Sequence, residues 1–248
     1  MTDRSSKRLV VKVGTNTLTA GGDSLRRPRM LEIVRQVARL VQDGHEVALV
    51  SSGAIVAGRE ALQLTRDGKD IPFKQVLAAV GQVRLMQTWD QLFSLYQVTV
   101  AQTLLTRADL ADRQRYLNAR NTLLALLDRH VVPIINENDV VAVEEITIGD
   151  NDNLSALVAN LIDADLLVLL TDQAGLYTAD PRRDASATLI TEVPVISDEI
   201  VALAAGAGTV RGTGGMVTKV QAARVATESG VTVLIADGAN EKDRKSVV

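Results

Sequence analysis

Apolar positions along the chain follow two alternating periodicities. Short runs of Val, Leu, Ile and Ala, closed by glycine or a polar turn, read as buried strands: "KRLVVKVG" (7–14), "HEVALVSSG" (45–53), "QVTVAQTLL" (97–105), "VVPIINEND" (131–139), "DLLVLLTD" (165–172) and "VTVLIADG" (231–238). Helix-period segments lie between them. Met30, Ile33, Val34, Val37 and Val41 recur at three- and four-residue spacing until Gly44 stops the helix. Further helices are predicted over "AIVAGREALQL" (54–64), from about Pro72 to Tyr96, and over 113–129, 153–164 and 214–230. "TRDGKDIP" (65–72) reads as a polar turn, and "VVAVEEITIGD" (140–150) alternates like a hairpin or edge segment. The stretch from Thr178 to Gly212, which holds Pro181 and Pro194, reads as a flexible flap. Strands that are near-continuous apolar runs, alternating with helices, predict a mainly parallel open sheet covered on both faces. No repeat, low-complexity tract or linker interrupts the pattern.

Composition narrows the chemistry. The chain has 248 residues and is 46% hydrophobic but only 2% aromatic, so aliphatic side chains must build the core. Twenty-seven Lys and Arg against thirty Asp and Glu give a net charge of −3, which argues against nucleic-acid and anionic-membrane partners. With no cysteine, disulfides and thiolate metal sites are excluded. The two histidines, His45 and His130, fall at helix-to-strand junctions and read as loop residues. No residue is nominated as a metal ligand. No apolar run approaches the roughly 18 residues of a membrane span, and a cytoplasmic location is the default expectation. Met86, Trp89, Phe93 and Tyr96 form a stripe at helical spacing that reads as core or subunit interface.

The candidate chemistry sits where strands end. "RGTGGMVTK" (211–219) fails the Walker pattern, because Lys219 follows Thr218 instead of preceding a Ser or Thr. It also fails the dinucleotide fingerprint. Gly212, Gly214 and Gly215 ahead of a helix still permit close backbone approach to an anion. Taken alone, the stretch fits a phosphate cradle and a glycine hinge equally well. Lys12 lies inside a strand that otherwise reads as buried on both faces, and an unpaired buried ammonium is costly. The turn Gly14-Thr15-Asn16-Thr17 follows it, and Ser51-Ser52-Gly53 repeats the strand–turn–helix design. In open α/β sheets such turns converge on one crevice beyond the strand ends.

Two polar runs, Asn136-Glu137-Asn138-Asp139 and Asp150-Asn151-Asp152-Asn153, add carboxylates and amides at the same edge, with Asp152 or Asn153 as a helix cap. Orienting lysines and binding a substrate ammonium suits them better than a calcium loop, whose closing glutamate is missing. Thr171-Asp172, at the exit of a very apolar strand, is suited to a nucleotide's adenine or ribose, with a plain strand exit capped by Asp172 as the alternative.

Taken in order, "VVKVGTNTL", "SSGAIVAGRE", "AAVGQVRLMQ", "LLTRADLADRQRYLNARNTL", "PIINENDVV", "GDNDNLSALVA", "LLTDQAGLYTADPR" and "GTGGMVTKVQAA" resemble the amino acid kinase family. Within it they resemble the branch that phosphorylates glutamate. The resemblance implies a three-layer αβα sandwich of the carbamate kinase-like fold. It also implies ATP-dependent phosphorylation of the γ-carboxylate of L-glutamate to L-glutamate 5-phosphate, opening proline biosynthesis. Lys12 and Lys219 would stabilise the transferring phosphoryl group, with Asp152 holding both. Ser52, Asp139 and Asn151 match glutamate-binding positions. Thr171, Asp172, Thr213, Gly214, Gly215, Met216, Val217, Thr218 and Lys219, with Lys12, match nucleotide-binding positions.

Mg2+ with ATP, feedback by L-proline, a homodimer or homotetramer, and glutamate-5-semialdehyde dehydrogenase as pathway neighbour are the further implications. Residues 1–248 would form one amino acid kinase domain, with no C-terminal PUA domain and no recognisable strand after "ADG". A related carboxylate or phosphate substrate, or a non-catalytic amino-acid or nucleotide sensor, are the alternatives. The chemistry suits a chain poor in histidine. A carboxylate nucleophile with a pKa of about 4.3 is already ionised at neutral pH and needs no general base.

Overall fold

The computed structural model describes residues 6–64, 70–142, 150–181, 183–206 and 215–238. Among the described residues, six strands alternate with helices in the order predicted. They are β1 (Arg8–Val13), β2 (Glu46–Ser51), β3 (Val100–Leu105), β4 (Val132–Glu137), β5 (Leu166–Thr171) and β6 (Thr232–Asp237). They form one sheet in the order β3-β4-β2-β1-β5-β6, every pairing parallel. Such a sheet needs helices on both faces. These are α1 (Thr15–Thr19), α2 (Arg27–Gln42), α3 (Ala54–Ala61), α4 (Ile71–Ser94), α5 (Arg107–Ala111), α6 (Arg113–Leu127), α7 (Asp150–Leu161), α8 (Asp198–Gly206) and α9 (Met216–Thr227).

The period of two along each strand divides the core. Leu9, Val11, Val13, Val47, Leu49 and Ile134 join the cluster formed with α2, α3 and α4. Val10, Ala48, Val50 and Ile135 join the opposite cluster, with α6, α7 and α9. Continuing the alternation turns Lys12 toward α7 and α9, and turns Ser51 and Asn136 toward α4. β1 lies at the centre of the sheet. The chain first adds strands on its β2 side and later returns on its β5 side, so the crevice of an open α/β sheet falls at the end of β1.

Several local features depart from the expectations above. "TNTLT" is not a turn but the short helix α1, which starts from Gly14. The helix expected over 113–129 is preceded by a separate turn of helix. Thr106 and Asp109 form a reciprocal capping box on α5, and the Asp112 side chain then accepts the Arg115 N–H to start α6. Inside the expected flap lies α8, with Asp198 and Glu199 in its first turn, packed on α9 through Ala204 and Val220. Residues 143–149, most of the expected hairpin or edge segment, lie outside the described residues. Trp89 and Phe93 are fully buried core, while Tyr96 lies beyond the end of α4 and packs partly buried against the same cluster. His45 and His130 occupy the junctions expected of them.

Two glycines fix how the elements around β2 meet. Gly53, between β2 and α3, adopts φ 107°, a left-handed conformation open to glycine at no steric cost. Gly81 in the middle of α4 faces α3 so closely that a Cβ there would lie 1.7 Å from the Ala54 carbonyl oxygen. The α3–α4 crossing thus sets the position of the Ser52-Gly53 turn at the head of α3.

Candidate active site

Lys12 is the penultimate residue of β1, one before the buried Val13, and points between α7 and α9. Its Nζ lies 2.6 Å from Asp152 Oδ1. Lys219, one turn into α9, sets its Nζ 3.3 Å from Asp152 Oδ2. The Thr218 hydroxyl donates to that same oxygen at 2.7 Å. Lys12, Asp152 and Lys219 are 4%, 1% and 7% exposed, so three charges share a nearly dry pocket. Asp152 is the third residue of α7 and its side chain is spent on the lysines, so neither it nor Asn153 caps a helix that already begins at Asp150.

The electrostatics follow from burial and company. Burial alone would push the Asp152 carboxyl up, but Lys12 and then Lys219 outweigh it and hold the carboxyl below its ordinary value. Burial, only partly offset by Asp152 and reinforced by Lys219, holds the Lys12 ammonium below its ordinary value of 10.5. Among the described residues, two lysines on one aspartate leave a net positive charge in a low-dielectric setting. Such an arrangement favours an anion that completes it.

On the other side of the sheet edge runs a row of neutral polar groups. Asn151, adjacent to Asp152, donates from Nδ2 to Ser52 Oγ at 2.8 Å and to Asn136 Oδ1 at 2.9 Å. Asn136 donates in turn to Gln82 Oε1 on α4 at 2.9 Å. The Trp89 indole N–H donates to Ser51 Oγ at 3.0 Å. Ser52 and Asn151 are therefore brought together. Asp139 sits half-buried in the turn directly after β4, where Val141 N and Ala142 N bond the Asn138 carbonyl. Asn136 and Ser51 were expected in the polar turns at the strand ends but given no individual role, Trp89 was expected as core or interface, and Gln82 was not expected at all. Their signal was polar groups facing inward at strand ends, and a helix that carries Gln82 and Trp89 seven residues apart.

Thr171 and Asp172 lie at the end of β5, where the Thr171 hydroxyl donates to Asp172 Oδ1 at 3.2 Å. Both line an open cleft of about 300 Å³ with Asn16, Thr17 and Arg29. Gly215 precedes α9 in extended conformation, and Met216 and Val217 pack inward against Leu176 and Ala204. Thr213 and Gly214 lie outside the described residues. The expected positions from Lys12 to Lys219 that are described thus share one edge of the sheet. Chemically, the arrangement can hold a polyanion between two lysines, beside an uncharged amide and hydroxyl surface.

The model of the amino acid kinase family matches residues 7–237. A "Glutamate 5-kinase" of Herpetosiphon aurantiacus is 61% identical over 93% of the chain and 62% of its own length. One of Dehalococcoides mccartyi is 57% identical over 96% and 65%, and one of Haemophilus influenzae 55% over 94% and 64%. The chain therefore spans less than two thirds of the length of these curated relatives. Among solved structures, a carbamate kinase from Giardia lamblia bound to AMP-PNP superposes with a TM-score of 0.68 at 16% identity, covering 98% of this chain and 96% of that one. An aspartate kinase from Synechocystis gives 0.66 at 17%, covering 94% and 38%. At that identity the likeness concerns the fold.

Proposed function

The chain belongs to the amino acid kinase family, and on that premise we propose that it transfers the γ-phosphoryl group of ATP to the γ-carboxylate of L-glutamate. The product is L-glutamate 5-phosphate, the first intermediate of proline biosynthesis. The observation that carries the reading is the buried Lys12–Asp152–Lys219 constellation, with contacts of 2.6 and 3.3 Å at the head of the central strand. The relatives named glutamate 5-kinase, at 55–61% identity, support the choice of acceptor.

The steps follow from the residues. The γ-carboxylate of glutamate is the nucleophile and is ionised without help. Its oxygen attacks the γ-phosphorus, the bond to the bridging β–γ oxygen breaks, and that electron pair leaves with ADP. Catalysis then consists of holding two anions in line and neutralising the charge on the phosphoryl oxygens. Lys12 and Lys219 supply two of those charges, and Asp152 fixes both ammoniums before substrate arrives. Ser52, Asn151 and Asp139 bind glutamate, Asp139 offering its carboxylate to the substrate ammonium. Thr171, Asp172 and the segment 213–219 bind the nucleotide. Mg2+ would enter as part of the Mg–ATP substrate and would neutralise phosphate charge there. Among the described residues no three His, Cys, Asp or Glu side chains converge on a metal position.

The same reading takes 1–248 as one kinase domain working in the cytoplasm as a homodimer or homotetramer. It has L-proline as feedback inhibitor, and glutamate-5-semialdehyde dehydrogenase consumes its product. Among the described residues no helix is long and apolar enough to cross a membrane. The test is hydroxylamine trapping of the acyl phosphate with glutamate, aspartate, acetylglutamate and carbamate offered in parallel. ATP-dependent hydroxamate from glutamate above all others is expected. Preference for another acceptor would move the chain to a different branch of the family, and binding without turnover would make it a sensor.

A further inference from the structure

Helix α4 runs under the acceptor side of the crevice and meets it at three points. Gln75, Gln82 and Trp89 are seven residues apart, two turns each, so they fall along nearly one line. Gln75 Nε2 donates to the Ala142 carbonyl beyond β4 at 3.3 Å. Gln82 accepts from Asn136 at the end of β4. Trp89 donates to Ser51 at the end of β2. The helix thus braces the segments that carry the proposed glutamate ligands.

The middle contact does more than brace, because a row of amides has a direction. Asn136 Nδ2 donates to Gln82, which leaves Asn136 Oδ1 to accept from Asn151 Nδ2. The second hydrogen of Asn151 Nδ2 goes to Ser52 Oγ. Ser52 is thereby an acceptor inside the row, and its own hydroxyl proton is left to donate to an anionic ligand. Reversing the row would require Ser52 to donate to Asn151 Oδ1, and that donor would be lost. The two buried side-chain atoms of the row with no partner among the described residues are Gln82 Nε2 and Asn151 Oδ1. They are the atoms that would gain bonds on reversal, so the competing arrangement has a driving force.

We propose that Gln82 is a positioning residue: its Oε1, held on α4, anchors the Gln82–Asn136–Asn151–Ser52 row in the sense that leaves the Ser52 hydroxyl free to donate to a carboxylate of the acceptor substrate. The proposal rests on the reading of Ser52 and Asn151 as acceptor ligands. Without the acceptor at position 82, Asn136 turns its Nδ2 to the unpartnered Asn151 Oδ1 and the row runs backward. A glutamate at 82 can accept but, when ionised, cannot donate, so it holds the observed sense.

Steady-state kinetics of the full chain test this with Gln82→Met and Gln82→Glu, glutamate and ATP varied separately and hydroxamate as the readout. Loss of about one hydrogen bond to the substrate predicts a roughly tenfold rise in the KM for glutamate in Gln82→Met. The KM for ATP should stay near the wild-type value. Gln82→Glu should recover most of the loss. If Gln82→Met does not fold, as judged by its melting transition, Gln82→Ala is read in its place.

An unchanged KM for glutamate overturns the proposal. So does equal impairment in the Met and Glu variants, or a matching rise in the KM for ATP. A wild-type protein that makes no glutamate hydroxamate overturns the parent reading and this one with it, and that outcome is visible before any variant is measured.

Discussion

The two faces of the sheet meet the crevice in opposite chemical styles. On the α7/α9 face, three ionised groups are buried together, Lys12 and Lys219 against the single carboxylate of Asp152. On the α4 face, Gln82, Asn136, Asn151 and Ser52 form an uncharged row of amides ending in a hydroxyl. Two consecutive residues at the start of α7 join them: Asn151 reaches the neutral row and Asp152 reaches the lysines. The difference fits the two tasks. A phosphoryl group in flight spreads charge over its oxygens and needs fixed positive charge, whereas an amino acid must be recognised through direction and shape. One turn of helix couples the two, so on the proposed function the acceptor carboxylate and the phosphoryl oxygens would be held by neighbours in the chain.

Asp152→Asn attacks the charged side and should have the largest effect. Leaving two buried ammoniums without their carboxylate costs about 3–5 kcal/mol of stability. Turnover should fall by roughly 10²–10³ as the lysines lose their placement. Thermal unfolding and kcat measured together check both, and a variant with normal stability and turnover would show that the clamp is not held by Asp152.

Gly81→Ala acts on the neutral side through packing. Its Cβ would lie 1.7 Å from the Ala54 carbonyl oxygen and 2.4 Å from the Gly58 nitrogen, so α3 must move from α4. Overpacking of this kind costs about 1–3 kcal/mol. Because α3 begins at the Ser52-Gly53 turn, the KM for glutamate should rise more than that for ATP. Equal changes in both would deny that the α3–α4 crossing positions the acceptor side in particular.

The smallest expected effect is a displacement along the pH axis. In its proposed role Lys12 must be protonated to serve a phosphoryl group, and burial holds its ammonium below the ordinary value of 10.5. Activity is therefore lost as pH rises through a value below 10.5. The fall should come earlier in kcat/KM for ATP, which reports the free enzyme, than in kcat, where bound polyphosphate favours the ammonium. For stability the sign runs the other way at Asp152. Its carboxyl is held below 3.8, so its contribution is complete above that pH and is lost as pH falls through the lower folded value. A pH–rate profile of kcat/KM with its alkaline limb at or above 10.5 would contradict the desolvated setting of Lys12.

The two sides also differ in how openly the sequence displays them. Lys12 stands out because an ammonium inside an apolar run is anomalous. Asp152 and Lys219 stand out beside a dense polar cluster and a glycine stretch. Gln82 does not, because a glutamine in a long helix is ordinary until the fold turns it toward Asn136. The mainly parallel sheet was legible from apolar runs alternating with helices, whereas its strand order is set by tertiary packing that alternation leaves open. α8 was hidden by Pro181 and Pro194 on either side of a polar stretch, although Ser197, whose hydroxyl accepts the Ile200 N–H at 3.4 Å, is an available cap signal. α1 was hidden because "TNTLT" has little helix propensity and is held in place by tertiary packing of the buried Leu18.

On the proposed function, the charged side performs the transfer and the neutral side binds the acceptor. Lys219→Ala separates these functions most directly, with hydroxamate formation and calorimetric glutamate binding measured on the same preparation. Turnover should fall by about 10² or more while the Kd for glutamate stays largely unchanged. Wild-type turnover, or glutamate binding lost together with turnover, would contradict that division of labour.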